Sequence, residues 1–132
     1  MVSEKEKLNE LSERVIGAAI EVHRELGPGL LESTYEAALE HELGLMGLKT
    51  VRQLSLPIRY KDIKIDDAYR IDLLVEDSLI IEVKTVEAFL PVHSAQLLTY
   101  LRMSEKHLGL LINFHTVRLV DGIKRQVHKF PT

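Results

Sequence analysis

Cysteine is missing altogether from this 132-residue chain, which excludes disulfide frameworks, thiolate zinc sites and cysteine nucleophiles. Basic charge is in short supply as well. The 17 lysines and arginines fall below the 20 aspartates and glutamates, giving a formal net charge of −3 and arguing against a generic basic nucleic-acid binder. No apolar run reaches the length of a bilayer span, and the opening MVSEKEKLNE lacks the apolar stretch of a signal peptide. The expectation is a soluble cytoplasmic protein with no membrane partner. Internal repeats, low-complexity tracts and linkers are absent too, so residues 1–132 read as a single domain, long enough to bury a core unaided.

What charge there is lies unevenly. Residues 1–47 hold four basic residues against ten glutamates, whereas residues 49–70 hold six basic residues against Asp62, Asp66 and Asp67. A local basic face is therefore compatible with the acidic total.

Ser3 and Glu6 have capping-box spacing, and Leu8, Leu11, Val15, Ala19, Val22 and Leu26 follow at helical intervals. They predict a helix to about Leu26, broken by Gly27-Pro28-Gly29. A second helix is expected over about 30–45. Residues 49–60 then read as a strand bent at Pro57, fit for an edge or bulge, with a turn at Lys61-Asp62 and a short strand at 63–65. A third helix is expected over about 92–103 and an apolar, central strand over 108–114. Asp121-Gly122 signals a hairpin between strands at 117–120 and 123–129. The order implies an α/β or α+β sheet with helices packed on it.

The stretch YRIDLLVEDSLIIEVKTV (69–86) does not fit a simple core. It reads as two apolar strands joined at Glu76-Asp77-Ser78, yet Asp72, Glu82 and Lys84 stand among the apolar residues. Buried charge is costly unless paired, hydrogen-bonded or bound to a metal. If Val75 opposes Leu79 across a three-residue turn, Asp72 falls opposite Glu82, with Lys84 two positions farther on the same face. Opposed carboxylates repel; a divalent cation between them turns that repulsion into a binding site. A salt bridge of Lys84 to the two acids is the structural alternative.

Three other patterns are ambiguous singly. In GLLESTY, Glu32 suits the positive end of a helix dipole and Tyr35 suits a core. In AQLLTYL, Gln96 and Tyr100 share a helical face, able to hold a water, a phosphate oxygen or a base, or simply to form a polar stripe. In GLLINF, Asn113 ends an apolar strand, where it satisfies backbone groups. His93 shares the face of Gln96 only if its helix begins early, and the remaining histidines have no zinc-ligand spacing.

Taken in order, GLLESTY, YRIDLLVEDSLIIEVK, AQLLTYL and GLLINF resemble the GxxExxY protein family of the PD-(D/E)XK nuclease superfamily, over most of the chain. The resemblance implies an α/β, restriction-endonuclease-like fold: a mixed β-sheet flanked by helices, with a metal at the central hairpin. It makes Asp72 the first strand acid, Glu82 and Lys84 the (D/E)-x-K element, and Glu32 the acid of a preceding helix. Gln96 and Tyr100 match a Gln-x-x-x-Tyr helix. The literal Pro-Asp is absent, since Ile71 precedes Asp72.

The expected activity is metal-dependent hydrolysis of nucleic-acid phosphodiesters. Asp72, Glu82, the Val83 carbonyl and Glu32 would be the ligands of Mg²⁺ or Mn²⁺, and Lys84 would orient water or stabilise charge. Gln96 and Tyr100 would position the strand, with Arg52, Arg59, Lys64 and Arg70 available to phosphates. The alternative is a nuclease-fold module with little or no turnover that binds nucleic acid or a protein. The acidic total and the lack of tryptophan favour this second reading; the opposed carboxylates favour the enzyme. An edge strand near the C-terminus offers a surface for a homodimer.

Overall fold

The computed structural model describes every residue from Met1 to Thr132. Helix α1 spans Glu4–Leu26, and the Ser3 side chain caps it by accepting the Glu6 N–H at 3.1 Å. Leu8, Leu11, Val15, Ala18, Ala19 and Val22 form its buried stripe. Each leucine or valine removed from water in this way contributes roughly 1.5–3 kcal/mol. Gly27 closes the helix at a φ of 68°, a left-handed backbone that favours glycine.

Helix α2 spans Glu32–Leu45 and packs beside α1. Its Tyr35 is wholly buried. The ring stacks on Phe114 with centroids 4.5 Å apart, while the hydroxyl accepts the Leu30 N–H and donates to the Gly27 carbonyl. Tyr35 is thus a core residue that pins the Gly27–Gly29 turn, and with it the start of α2.

Five strands follow: β1 (Thr50–Tyr60), β2 (Ile63–Val75), β3 (Leu79–Lys84), β4 (Leu108–Asn113) and β5 (Ile123–Val127). They form one sheet in the order β1-β2-β3-β4-β5, with β3 and β4 parallel and the other neighbours antiparallel. Helix α3 (Pro91–Ser104) makes the crossover that a parallel pair requires. Helices α1 and α2 cover one face over a large apolar cluster. On the other face, Leu97 and Leu101 of α3 meet Ile71, Leu74, Ile80 and Leu111. Covered on both sides, β3 and β4 need unbroken apolar runs. The result is the expected mixed sheet flanked by helices.

Two expectations are corrected. The short strand at 63–65 is the start of the thirteen-residue β2, and Asp66-Asp67 is an irregularity within it. At that point the register shifts between Leu56 and Ile58, beside Pro57 on the edge strand. Asp121-Gly122 forms no hairpin either: Leu119–Gly122 is a single 3₁₀ turn, and β5 pairs directly with β4. A Cβ at Gly122 would lie 2.4 Å from the Asn113 carbonyl oxygen. The glycine serves close backbone approach there, not a hairpin turn.

Candidate active site

Residues Val75 and Leu79 pair across the turn, followed by Leu74 with Ile80 and Leu73 with Ile81. This is the register that sets Asp72 opposite Glu82, but backbone pairing stops one step short of them. Their side chains take over. Glu82 Oε2 accepts the Asp72 N–H at 2.9 Å, and Asp72 Oδ2 accepts the Val83 N–H at 2.9 Å. Beyond this point β3 stays paired with β4 as far as Lys84 with Asn113, whereas β2 stays paired with β1. The sheet forks, with two carboxylates at the branch.

Burial governs their electrostatics. Glu82 is only 3% exposed, and burial, then the Asp72 charge, pushes its pKa up to about 8. Asp72 is also raised, by burial first; its hydrogen bond from Val83 and the positive charge of Lys84 pull the other way. With its pKa near 8, Glu82 favours the protonated form at neutral pH.

The other expected residues are distributed as follows. Lys84 is half-buried, and its charge acts on both carboxylates without a salt bridge to either. The N–H of Val83 is taken by Asp72. Its carbonyl points to the same side of the strand, toward the fork. Glu32 is exposed in the first turn of α2 and accepts the Thr85 N–H at 3.1 Å, just past Lys84. Tyr100 packs against Tyr69 with ring centroids 5.1 Å apart. Burial, then the charges of Glu82 and Asp72, raise its phenol pKa. Gln96 sits one turn before Tyr100 on α3, exposed and free of hydrogen bonds to protein. His93 does not join the group: its Nδ1 accepts the Leu90 N–H at 3.0 Å, and its ring meets Phe89 edge-on. Asn113 joins strand to loop, exchanging hydrogen bonds with both backbone groups of Val86 and accepting the His115 N–H.

Three contributors were not legible as such. Glu36 is 4% exposed and accepts hydrogen bonds from Arg52 Nε at 2.9 Å and Gln53 Nε2 at 2.6 Å. Gln53 Nε2 also lies 3.4 Å from Asp72 Oδ1. Arg52, expected among the phosphate contacts, is instead committed to Glu36 and to the Ser33 carbonyl. A usable signal was the i, i+4 spacing of Glu32 and Glu36, a like-charge pair that costs helix stability and so asks for a partner.

The donor set suits a small, hard divalent ion. Asp72 and Glu82 bring carboxylate oxygens, Val83 a carbonyl, and no salt bridge neutralises the acids. No three His, Asp or Glu side chains gather around one point. Such a pair matches Mg²⁺, which binds through one or two carboxylates and keeps several waters. A cavity of about 360 Å³ lined by Glu4, Lys7, Glu76, Asp77, Lys106 and His107 lies by the β2–β3 turn and includes none of the expected residues.

A family model described as the PD-(D/E)XK nuclease superfamily matches residues 9–126. No curated protein and no solved structure matches the chain.

Proposed function

The chain belongs to the PD-(D/E)XK nuclease superfamily, and from that premise we propose that it hydrolyses nucleic-acid phosphodiester bonds with Mg²⁺ or Mn²⁺ held at the fork of its sheet. The main support is the pairing of buried Glu82 with half-buried Asp72, two acids with raised pKa values and no salt bridge to either. A stability-driven sequence would not favour that combination. Within the superfamily, the four sequence motifs support membership of the GxxExxY branch.

Asp72, Glu82 and the Val83 carbonyl would hold the ion, and Glu32 would reach it through water. When bound, a divalent ion lowers the pKa of a water and polarises a phosphodiester. Lys84 supplies a positive charge beside the acids, where it can orient the attacking water and stabilise charge developing on phosphorus-bound oxygens. Tyr100 and the free amide of Gln96 present a phenol and a hydrogen-bonding group along one face of α3, suited to holding the strand rather than reacting. Exposed Arg59, Lys64 and Arg70 are the available phosphate contacts.

A second reading is a nuclease-fold module that binds nucleic acid or a protein without efficient turnover. It is favoured by one observation: both carboxylates already accept backbone hydrogen bonds. A panel of single-stranded, duplex and branched DNA and RNA, incubated with Mg²⁺ or Mn²⁺, separates the two. We expect cleavage that falls about 10²–10³-fold in Lys84→Ala while the fold persists. Binding of any member with no cleavage of the whole panel would establish the second reading instead.

A further inference from the structure

Gln53 holds an unusual backbone for its place in the sheet. It lies within β1 at a φ of 54°, the left-handed region that non-glycine residues rarely adopt inside a strand. The flanking pairs, Arg52 with Leu73 and Leu54 with Ile71, keep one register, but Gln53 and Asp72 are unpaired between them. Both strands change face here. On β2, Leu73 packs in the cluster under α1 and α2, whereas Ile71, two residues away, packs in the cluster under α3. On β1, Arg52 reaches Glu36 of α2 while Leu54 packs toward α3. Strict alternation would keep each of these pairs on one side.

The amide that this backbone directs has a defined task. An amide nitrogen carries two donor hydrogens. One contact runs 2.6 Å to the buried Glu36 carboxylate, the other 3.4 Å to Asp72 Oδ1. Glu36 is itself fixed by Arg52 at 2.9 Å. The opposite oxygen of Asp72 is held by the Val83 N–H. Asp72 is therefore gripped on both oxygens, from β3 and from α2 through Gln53. Strain of this kind persists only where the surroundings over-determine it.

We infer that Gln53 is a positioning residue, whose left-handed backbone carries its amide between Glu36 and Asp72 and so fixes the Asp72 carboxylate at the fork. Glu36 is the anchor of that contact. The inference stands on the metal-free geometry; only its consequence for metal affinity rests on the proposed nuclease site.

The test uses the full chain and two substitutions. Gln53→Gly removes the amide and relieves the backbone; Gln53→Ala removes the amide and keeps the strain. Native-state amide exchange is followed without metal at Asp72 and Val83, with Leu73 and Ile81 as internal references. We expect both variants to lose protection at Asp72 and Val83 by about tenfold, with the references unchanged and with Gln53→Ala melting below Gln53→Gly. Calorimetric titration with Mn²⁺ should then show weaker binding in both. Unchanged exchange at Val83, or loss at all four amides in proportion to melting temperature, would overturn the assignment. Local loss of protection together with no Mn²⁺ binding by the parent chain would retain Gln53 as the positioner of Asp72 and remove the metal site instead.

Discussion

At the scale of single residues, Glu82 couples the fold to pH. Its carboxyl moves from an ordinary 4.5 to about 8 on folding, so between those values the folded chain binds the proton more tightly than the unfolded chain. Its stabilising contribution is complete below about 4.5 and is lost as pH rises through about 8. Melting temperatures in chelator should therefore fall across that interval, with a shallower fall in Glu82→Gln. Affinity for Mg²⁺ or Mn²⁺ should rise over the same interval, because binding must displace the proton. A pH-independent parent would mean that the proton is not held at the fork. Arg52 carries a different expectation. Its partner Glu36 is buried, so Arg52→Ala should cost about 1–3 kcal/mol by stranding that carboxylate.

At the scale of elements, the outer part of the β1–β2 hairpin is an arm with two unlike faces. Ile58 opposes Ile65 and Tyr60 opposes Ile63 on one face; Arg59 opposes Lys64 on the other. Like charges directly opposed destabilise a sheet, and only Lys64 has an acidic partner, the exposed Asp66 at 3.5 Å. An anionic backbone would relieve the repulsion. Arg59→Ala and Arg70→Ala should each weaken nucleic-acid binding similarly across sequences and reduce the salt slope by roughly one. Fluorescence anisotropy over a salt series measures both effects, and melting temperature should stay nearly constant. The β4 end depends instead on Asn113, whose amide ties the Val86 loop to the strand. Asn113→Ala should cost about 1–3 kcal/mol, read as a lower melting temperature.

At the scale of the whole molecule, a metal ion bound at the fork would join β2 to β3 where the backbone ladder has ended. Ligand that binds only the folded chain stabilises it by about 2.7 kcal/mol at a hundred times Kd, several degrees in Tm for a domain of this size. The parent should show this rise with Mn²⁺, and Asp72→Ala should not. Helices long and apolar enough to cross a membrane are absent, and the charged arm and the fork share strand β2. The family match extends over both.

Much of this arrangement follows from the sequence by local rules. Ser3 with Glu6 sets the start of α1, the apolar runs mark β3 and β4, and the three-residue turn fixes Val75 against Leu79 and so Asp72 against Glu82. Each depends on neighbours in the chain, where capping and alternation apply directly. The fork itself depends on contacts between distant elements. Alternation along IDLLV would put Ile71 and Leu73 together, yet a coincident irregularity at Gln53 and Asp72 separates them. No propensity assigns a left-handed backbone to that glutamine, and no pattern within α2 reveals that Glu36 meets Arg52 and Gln53 some sixteen residues on. The sequence alone determined which acids face each other. Tertiary packing decided what holds them, because the cost of burying Glu36 and straining Gln53 can be met only once helix and strands are in contact.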